Sequence, residues 1–312
     1  IVDSLGPQLA TSMNSMRLAL LSCLAASLVL LASCSSFELE ESFTLTQELG
    51  LDGPVALDVV CEVGSIEVGE DPALEGIEVR GLVKLTGRDE ERARARFEQL
   101  GASIQRGADG VTITPTFEGG RRPSERISLK VTVPDLGGVR LETRNGSLVA
   151  SGARGGVRAG SSNGAIKIID CVGEVQLSTR NGAISVEGGS GDIRGTTANG
   201  PVRVSGFNGP LELETSNGDI TVSLAEDARE AVRLRSSNGD IDLSVADGWS
   251  GVIEASTSNG QVRFRDQDGQ RQKGKASILA VGAGGARSVV RTGNGSIEVE
   301  VRSPDVLRSP RP

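Results

Sequence analysis

The sequence predicts an all-β protein: a single-stranded β-solenoid, similar to a parallel β-helix, with coils of about 18 residues. Three observations predict this fold. An Asn-Gly pair recurs at a fixed spacing, apolar and polar residues alternate on both sides of each pair, and 42 of the 312 residues are glycine. Self-similarity at a fixed period is typical of repeats that stack on one another and share one core. An irregular β-rich part with one short helix is expected before the regular coils.

The chain begins with a segment that we interpret as a signal peptide and its upstream stretch, residues 1–33. Arg17 supplies a positive charge directly before a 14-residue apolar run, Leu18–Leu31. A run of this length fits the apolar region of a signal peptide, and it is shorter than the ~20 residues that cross a bilayer as a helix. The segment is therefore expected to be a targeting signal.

The run ends in Leu31-Ala32-Ser33-Cys34, which resembles the lipobox of bacterial lipoproteins. The resemblance implies that the chain is cut before Cys34, that a diacylglyceryl group is attached to the Cys34 thiol, and that Ser35 favours the outer membrane. The alternative is an ordinary secretory signal in which Cys34 is incidental. We expect residues 34–45 to form a tether between the lipid and the folded part.

Residues 46–136 are predicted to form irregular N-terminal coils. The segment Leu57–Val68 already fits the repeat, with Gly64 at the turn glycine and Cys61 where later units have Thr or Ser. Asp89–Leu100 is the one predicted helix, because its first residue can cap it and apolar residues recur on one of its faces. We expect this helix to cover a free end or edge, since uncovered strand edges favour aggregation.

The regular repeat is predicted for residues 137–302, followed by a disordered tail, residues 303–312. Its Asn-Gly pairs are spaced by 18 residues four times, by 21 residues twice and by 35 residues once. Period-two alternation on both sides of each pair predicts two strands, each with one buried face. The asparagines of these turns are Asn145, Asn163, Asn181, Asn199, Asn217, Asn238, Asn259 and Asn294.

Two architectures fit this pattern, an antiparallel meander and a parallel solenoid. The constant phase favours the solenoid, because stacking puts equivalent residues about 4.8 Å apart and lets asparagine amides hydrogen bond in a ladder. We therefore expect parallel coils, each stacked on the coil before it in sequence, with the Asn-Gly turns along one edge. The asparagine column is interpreted as structural.

Cys61 and Cys171 are not expected to form a disulfide. Predicted strands near residues 77–85, 111–116 and 127–133 are expected to lie between their coils. That arrangement would hold the two Cα atoms farther apart than the 4.4–6.8 Å that a disulfide usually needs. Burial alone accounts for both side chains, because a free cysteine behaves as a small hydrophobic residue.

Five arginines at outward positions and the only tryptophan, in an inserted turn, are candidates for a ligand-binding face. The alternative for the arginines is a solvated face of mixed charge, and for the tryptophan it is packing over a coil. The candidates are Arg140, Arg144, Arg158, Arg180, Arg194 and Trp249.

The lipobox, the irregular β-rich start and the T-x-N-G-x-I/V repeats together resemble the bacterial β-solenoid family of putative adhesins, over about residues 45–302. The resemblance implies a β-solenoid in a cell-envelope protein, and it brings no catalytic motif with it. Adhesion is what the name of the family suggests.

Composition excludes several function classes. Histidine is absent, which excludes a Ser-His-Asp triad and histidine-ligated zinc. The net charge of −8 argues against a nucleic-acid-binding protein, and aromatic residues at 2% argue against stacking platforms for bases or sugars. No motif for a metal ion or another cofactor is found.

We therefore expect a non-enzymatic, lipid-anchored protein of the cell envelope, either an adhesin or an envelope scaffold. Its expected partners are the membrane, through Cys34, and an envelope polysaccharide or protein that binds the solenoid surface. The outer membrane is the expected location, on either its periplasmic or its outer face. The alternatives are a polysaccharide-processing enzyme on a β-helix, and a protein of the envelope stress response that binds antimicrobial peptides.

Overall fold

The structure is a computed structural model that describes residues 37–48, 53–107, 110–265, 271–282 and 284–302. The predicted signal peptide, Cys34 and the predicted disordered tail lie outside the described residues. The elements before the repeat are β1 (Phe37–Glu48), β2 (Val55–Val63), β3 (Ile66–Glu70), β4 (Gly76–Gly87), α1 (Glu90–Phe97), β5 (Leu100–Arg106), β6 (Val111–Phe117) and β7 (Glu125–Val133).

The repeat contributes the remaining strands. They are β8 (Leu136–Asn145), β9 (Leu148–Ser151), β10 (Val157–Asn163), β11 (Ile166–Ile169), β12 (Val175–Asn181), β13 (Ile184–Glu187), β14 (Ile193–Asn199), β15 (Val202–Phe207), β16 (Leu211–Asn217), β17 (Ile220–Leu224), β18 (Val232–Asn238), β19 (Ile241–Ala246), β20 (Gly251–Asn259), β21 (Val262–Arg265), β22 (Arg271–Gly274), β23 (Ala276–Val281), β24 (Ala286–Asn294) and β25 (Ile297–Arg302).

The described strands form two sheets that face each other across one core. Sheet A has the order β1-β4-β7-β3-β9-β11-β13-β15-β17-β19-β25-β21-β22, and sheet B has the order β23-β20-β24-β18-β16-β14-β12-β10-β8-β2-β6-β5. Each coil of the repeat contributes one strand to sheet B and one to sheet A, with the Asn-Gly turn between them. The all-β fold predicted from the repeat is confirmed.

Strand registers decide between the two predicted architectures. In sheet B, β10 runs parallel to β8 and to β12, and Asn163 pairs with Asn145 on one side and Asn181 on the other. In sheet A, β11 runs parallel to β9 and β13. Equivalent residues therefore stack on equivalent residues, which confirms the parallel solenoid and excludes the meander.

The core lies between the two sheets and consists of aliphatic columns. In each coil, the residues six and four positions before the turn asparagine and two and four positions after the turn glycine point inward. Examples are Val175 and Leu177 of β12 and Ile184 and Val186 of β13. A strand sends alternate side chains to opposite faces, so the period-two pattern places the apolar set inside. The outer faces carry the polar and charged residues.

Stacking does not follow sequence order at the C-terminal end. The last coil, β24–β25, lies between coil β18–β19 and coil β20–β21, because β24 pairs with both β18 and β20, and β25 pairs with both β19 and β21. The prediction that each coil stacks on the preceding one is therefore wrong for the coil that contains Asn259. Two short antiparallel strands cover its outer edges, β23 beside β20 and β22 beside β21.

The N-terminal end also departs from sequence order. Coil β2–β3 pairs directly with coil β8–β9 on one side and with coil β6–β7 on the other. The expected overlay on the repeat holds, since Cys61 pairs with Thr143 and Val63 with Asn145. The expected strands between Cys61 and Cys171 are wrong, because β4, β6 and β7 lie beyond β2–β3. Both cysteines are nevertheless free and buried.

The structure describes most of the predicted tether and the predicted helix. Strand β1 begins at Phe37 and pairs with β4 along its whole length, so most of the predicted tether belongs to sheet A. Helix α1 lies within the predicted range and is capped by Asp89, whose side chain accepts a hydrogen bond from the backbone N–H of Arg92. It packs against β1 and β4 with Ala93 and Phe97 buried, so it covers the N-terminal end of the core.

Candidate functional site

One edge of the solenoid carries a continuous ladder of asparagine side chains. In each step the amide Nδ2 of one Asn donates a hydrogen bond to the Oδ1 of the Asn in an adjacent coil, with N–O distances of 2.7–3.0 Å. In spatial order the members are Asn145, Asn163, Asn181, Asn199, Asn217, Asn238, Asn294 and Asn259. These amides hold neighbouring turns at the coil spacing.

A second ladder faces inward, at the fifth position of each coil. Each hydroxyl donates a hydrogen bond to the carbonyl of the turn glycine in a neighbouring coil, at 2.8–3.2 Å. The donors are Thr143, Ser161, Thr179, Thr197, Thr215, Ser236, Thr257 and Thr292. The Cys61 thiol occupies the same position and lies 3.2 Å from the Ile127 carbonyl. These side chains serve the turns and offer no surface to a ligand.

The five predicted arginines all lie on the outer face of sheet B, but they do not form a continuous basic patch. Three of them contact carboxylates: Arg140 with Glu142 at 2.7 Å, Arg144 with Glu62 at 3.5 Å, and Arg194 with Glu174 at 3.6 Å and Glu212 at 3.7 Å. The other two, Arg158 and Arg180, lie in different strands and at different positions across the sheet. Arg140 and Arg158 pair in register on adjacent strands, but the neutral Gln176 follows in the next strand and ends the basic stretch.

Trp249 is not on that face. Its side chain is 1% exposed, and its indole Nε1 donates a hydrogen bond to the Glu230 carbonyl at 3.3 Å. The inserted turn folds over the coil because the backbone N–H of Trp249 is also bonded to the Ala246 carbonyl. Of the two predicted alternatives, an exposed ligand anchor and packing over the coil, the structure shows the packing.

A second group of arginines, which the sequence pattern does not predict to be neighbours, lies on the same face. Arg233 and Arg235 of β18 lie beside β24, where Arg235 pairs with Arg291 and Arg233 pairs with Val289. The two arginine-bearing strands are neighbours only because the last coil is inserted out of order. The sequence contains all three arginines, but no periodic signal places Arg291 next to Arg235.

Sheet A carries the opposite charge near the same end. Asp242 lies on its outer face and pairs in register with Glu298. Partial burial raises the pKa of Asp242, and the negative charges of Glu298, Asp240 and Asp219 raise it further. Within the described ranges, no three His, Cys, Asp or Glu side chains are arranged to hold a metal ion.

The two thiols are placed for packing. Burial raises the pKa of Cys61 to about 11 and also raises the pKa of Cys171. A nucleophilic cysteine needs a lowered pKa and an accessible sulfur. Both groups therefore remain protonated at neutral pH and act as core residues.

A membrane-spanning helix is not found in the part of the chain that the structure describes. Cys34, the predicted lipidation site, lies three positions before the first described residue, Phe37. Its modification stays a prediction.

Three solved structures of bacterial proteins align with most of this chain. A protein named putative adhesin from Bacteroides fragilis aligns with 83% of this chain and 97% of its own, at 12% identity and a TM-score of 0.47. A putative adhesin from Parabacteroides distasonis covers 83% and 96%, at 9% identity and a TM-score of 0.36. A putative lipid binding protein from the same species covers 83% and 96%, at 10% identity and a TM-score of 0.29. Values this low carry no argument about what this chain binds.

Sequence comparison identifies the family. No curated protein is detectably similar to this chain. Residues 113–300, more than half of the chain, match the family described as Toastrack DUF4097. The match begins within β6 and ends within β25, so it covers nearly all of the regular repeat. The chain therefore belongs to the Toastrack DUF4097 family.

Proposed function

We propose that the protein is a non-enzymatic, lipid-anchored component of a bacterial cell envelope, and that it presents the outer faces of its solenoid to a binding partner. Lipid is attached at Cys34, and Ser35 directs the protein to the outer membrane. The partner is an envelope polysaccharide or protein, so that the molecule acts as an adhesin or a scaffold.

The observation that carries the proposal is the short distance in sequence between the lipobox and the fold. Cys34 is followed by two residues, Ser35 and Ser36, and then by β1, which starts at Phe37. A diacylglyceryl group at Cys34 would hold the β1 edge of sheet A near the lipid headgroups. Two acyl chains supply stable anchoring, since each buried methylene contributes about 0.8 kcal/mol. The coils would then project away from the bilayer.

The outer faces support a binding role. Sheet B extends over 12 strands, and its outward positions carry charged and polar side chains. Several of its carboxylates contact arginines, as in the pairs Glu142–Arg140 and Glu212–Arg194. Glycoside hydrolysis needs a pair of carboxyl groups, one that acts as an acid and one that acts as a base or nucleophile, whereas these carboxylates each contact an arginine.

The anchor is tested by replacing Cys34 with Ser in the full chain. We expect the C34S protein to leave the membrane fraction, and the unchanged protein to take up labelled palmitate. Cys23→Ser is the matched control, because Cys23 lies within the apolar run and outside the lipobox. Membrane association of C34S, together with no palmitate in the unchanged protein, would contradict the proposal.

A second measurement tests the non-enzymatic role. The purified protein is incubated with acidic and neutral polysaccharides, and new reducing ends or unsaturated products are quantified. We expect none above the level of a buffer blank. Turnover of any of these polymers would replace the binding role with the polysaccharide-processing alternative.

A further inference from the structure

A shallow groove of about 260 Å³ lies on the outer face of sheet B, where β16, β18 and β24 run side by side. Arg233, Arg235 and Arg291 line it, together with Val289 and, on the β16 side, Glu212 and Glu214. We call this feature the arginine groove. It lies in the second half of the solenoid, away from the five arginines that the sequence singles out.

The arginine groove exists because of the inserted coil. Arg235 and Arg291 pair in register across β18 and β24, so their Cα atoms lie about 4.8 Å apart. In sequence order the neighbour of β18 would be β20, which carries Glu254 and Ser256 at these two positions. Because of the insertion, Arg235 has an arginine beside it in place of a serine, and Arg233 has a valine beside it in place of a glutamate.

The guanidinium groups of the groove have no carboxylate partner, in contrast with several other arginines of sheet B. Arg140, Arg194 and Arg287 each contact a carboxylate within 4.0 Å. Among the residues that the structure describes, no such contact exists for Arg233, Arg235 or Arg291, and all three are exposed. The five N–H donors of each guanidinium match the oxygens of a carboxylate, sulfate or phosphate group in a two-point contact.

The carboxylates at the side of the groove limit what can bind. Glu212 contacts Arg194 in the next strand, and Glu214 pairs in register with Arg235. The basic stretch is therefore only two strands wide. A densely charged chain such as a nucleic acid, with one charge per 3.4 Å of each strand, would place anions against Glu214. A glycan with charges separated by neutral sugar groups avoids this repulsion, and its hydroxyl groups can donate hydrogen bonds to Glu214.

We propose that the arginine groove binds an acidic glycan, with Arg235 and Arg291 holding an oxyanion group and Glu214 accepting from neighbouring sugar hydroxyls. Arg233, two residues before Arg235 on β18, adds a third positive charge to the same face. This inference rests on the proposed binding role, whose partner class it names, but not on the lipid anchor. Carboxylate, sulfate and phosphate groups share the required chemistry, and the experiment distinguishes them.

The test uses the full chain, purified in a mild detergent, and measures affinity at low salt. The probes are oligogalacturonate, a sulfated heparin oligosaccharide, a phosphorylated mannan oligosaccharide, neutral dextran and a single-stranded DNA oligonucleotide. We expect binding to at least one acidic glycan, no binding to dextran, and weaker binding to DNA. The double variant R235Q/R291Q should lose at least tenfold in affinity for that glycan.

The matched control is R158Q/R180Q, which removes the same charge from two unpaired arginines of sheet B that are not neighbours. It should change the affinity less than twofold. A further variant, Glu214→Gln, should weaken glycan binding and strengthen DNA binding, because it removes both the hydroxyl acceptor and the repulsion. Near-ultraviolet circular dichroism verifies that the variants remain folded, as expected for exposed side chains.

Three results would overturn the inference: no acidic glycan binds, DNA binds more tightly than every glycan, or both double variants lose affinity equally. The last result would mean that the glycan responds only to net charge. None of these results changes the outcome of the Cys34 fractionation. The glycan-binding inference and the lipid-anchor proposal can therefore fail separately.

Discussion

The interior of the solenoid and its two ends follow different rules. From β10 to β17, each coil contacts the coils that precede and follow it in sequence. At each end, one coil is placed between two others that are not both its sequence neighbours: β2–β3 lies between β6–β7 and β8–β9, and β24–β25 lies between β18–β19 and β20–β21. The repeat therefore encodes the shape of each coil, but it does not determine which other coil stacks beside it.

Antiparallel strands explain the order at the ends. The chain leaves β21 as β22, which folds back along the outer edge of β21, and β23 then covers the outer edge of β20. Coil β20–β21 therefore has no free edge on the side away from the rest of the solenoid. The last coil, β24–β25, can pair with it only on the side that faces β18–β19. At the other end β5 covers β6 and β4 covers β7 in the same way. A coil with antiparallel strands on its edges must be outermost.

The largest effect is expected from removing the inserted coil. A chain that ends at residue 285 lacks β24–β25. The edges of β18–β19 and β20–β21 that pair with β24–β25 in the full chain are then free, and they can pair with each other. Asn238 and Asn259 both pair with Asn294 in the full chain, so the residues before them, Ser237 and Ser258, lie on either side of Gly293. We expect the truncation to bring these two serines into adjacent strands.

Cysteines at positions 237 and 258 measure this rearrangement. In the shortened chain the two Cα atoms should lie within the 4.4–6.8 Å range of a disulfide, whereas two coil spacings, about 9.6 Å, separate them in the full chain. We expect S237C/S258C to oxidise in the shortened chain and to keep two reactive thiols in the full chain. Ready oxidation in the full chain would contradict the observed coil order.

The next largest effect concerns the N-terminal end, where a buried ion pair fixes the cover of the core. Arg96 of α1 contacts Glu125 of β7 at 2.6 Å, with side-chain exposures of 6% and 2%. Arg96 also donates to the Gly120 carbonyl, and the Glu125 carboxylate accepts from the backbone N–H of Arg122. Replacing Arg96 with Ala leaves a buried carboxylate without its partner, which typically costs about 3–5 kcal/mol of unfolding free energy.

Urea unfolding measures that loss, and Arg122→Ala is the control because its side chain is 66% exposed and lies 3.8 Å from the same carboxylate. The control should lose less than about 1 kcal/mol. A similar loss in both variants would mean that burial of the pair is unimportant.

The pH dependence of the same pair has a definite sign. Burial alone would raise the pKa of Glu125, but the Arg96 guanidinium and the Arg122 backbone N–H more than offset it, so the pKa lies below its ordinary value. A lowered pKa in the folded state stabilises the fold above the ordinary value of about 4.3 and loses that contribution as the pH falls through the folded value. The difference between unchanged and R96A protein should therefore be constant near neutral pH and shrink in acid.

The regular coils could be predicted from sequence because one periodic pattern determines each feature. The phase of the Asn-Gly pairs sets the stacking, and the alternation around Val175 and Ile184 sets which face is buried. The order of the ends could not be predicted, because every coil presents equivalent edges and the pattern does not distinguish them. The arginine groove depends on that order, so no search for neighbouring basic residues in the sequence finds it.

Two glycines of the regular region differ in the space around them. A Cβ at Gly182, in an Asn-Gly turn, would collide with the backbone carbonyl of Gly164 in the preceding coil, whereas a Cβ at Gly160, on the outer face of β10, would have no neighbour within 4 Å. Gly182→Ala should lose about 1–3 kcal/mol, the usual cost of overpacking. Gly160→Ala should gain up to about 1 kcal/mol, since alanine restricts the unfolded chain more than glycine.

Urea midpoints of the two alanine variants measure this difference. Equal midpoints would contradict the close approach of neighbouring turns. A loss in both variants would instead show that the outer column tolerates no side chain at position 160, which would contradict the open space found there.

The smallest effect on stability is expected from removing one asparagine side chain, either inside the ladder or at its end. The Asn199 amide donates to Asn181 at 2.8 Å and accepts from Asn217 at 3.0 Å, whereas Asn259 donates to Asn294 and closes the ladder. No Asn of the ladder has a positive φ, so alanine can replace it without backbone strain. A hydrogen bond contributes about 0.5–1.5 kcal/mol net, and exposure to water favours the lower end of that range. Asn199→Ala removes two such bonds and Asn259→Ala removes one, so urea unfolding should show about twice the loss for the interior variant. Equal losses would contradict the assignment of two stabilising hydrogen bonds to Asn199 and one to Asn259, and the aligned turns would then depend mainly on the backbone and the inward hydroxyl column.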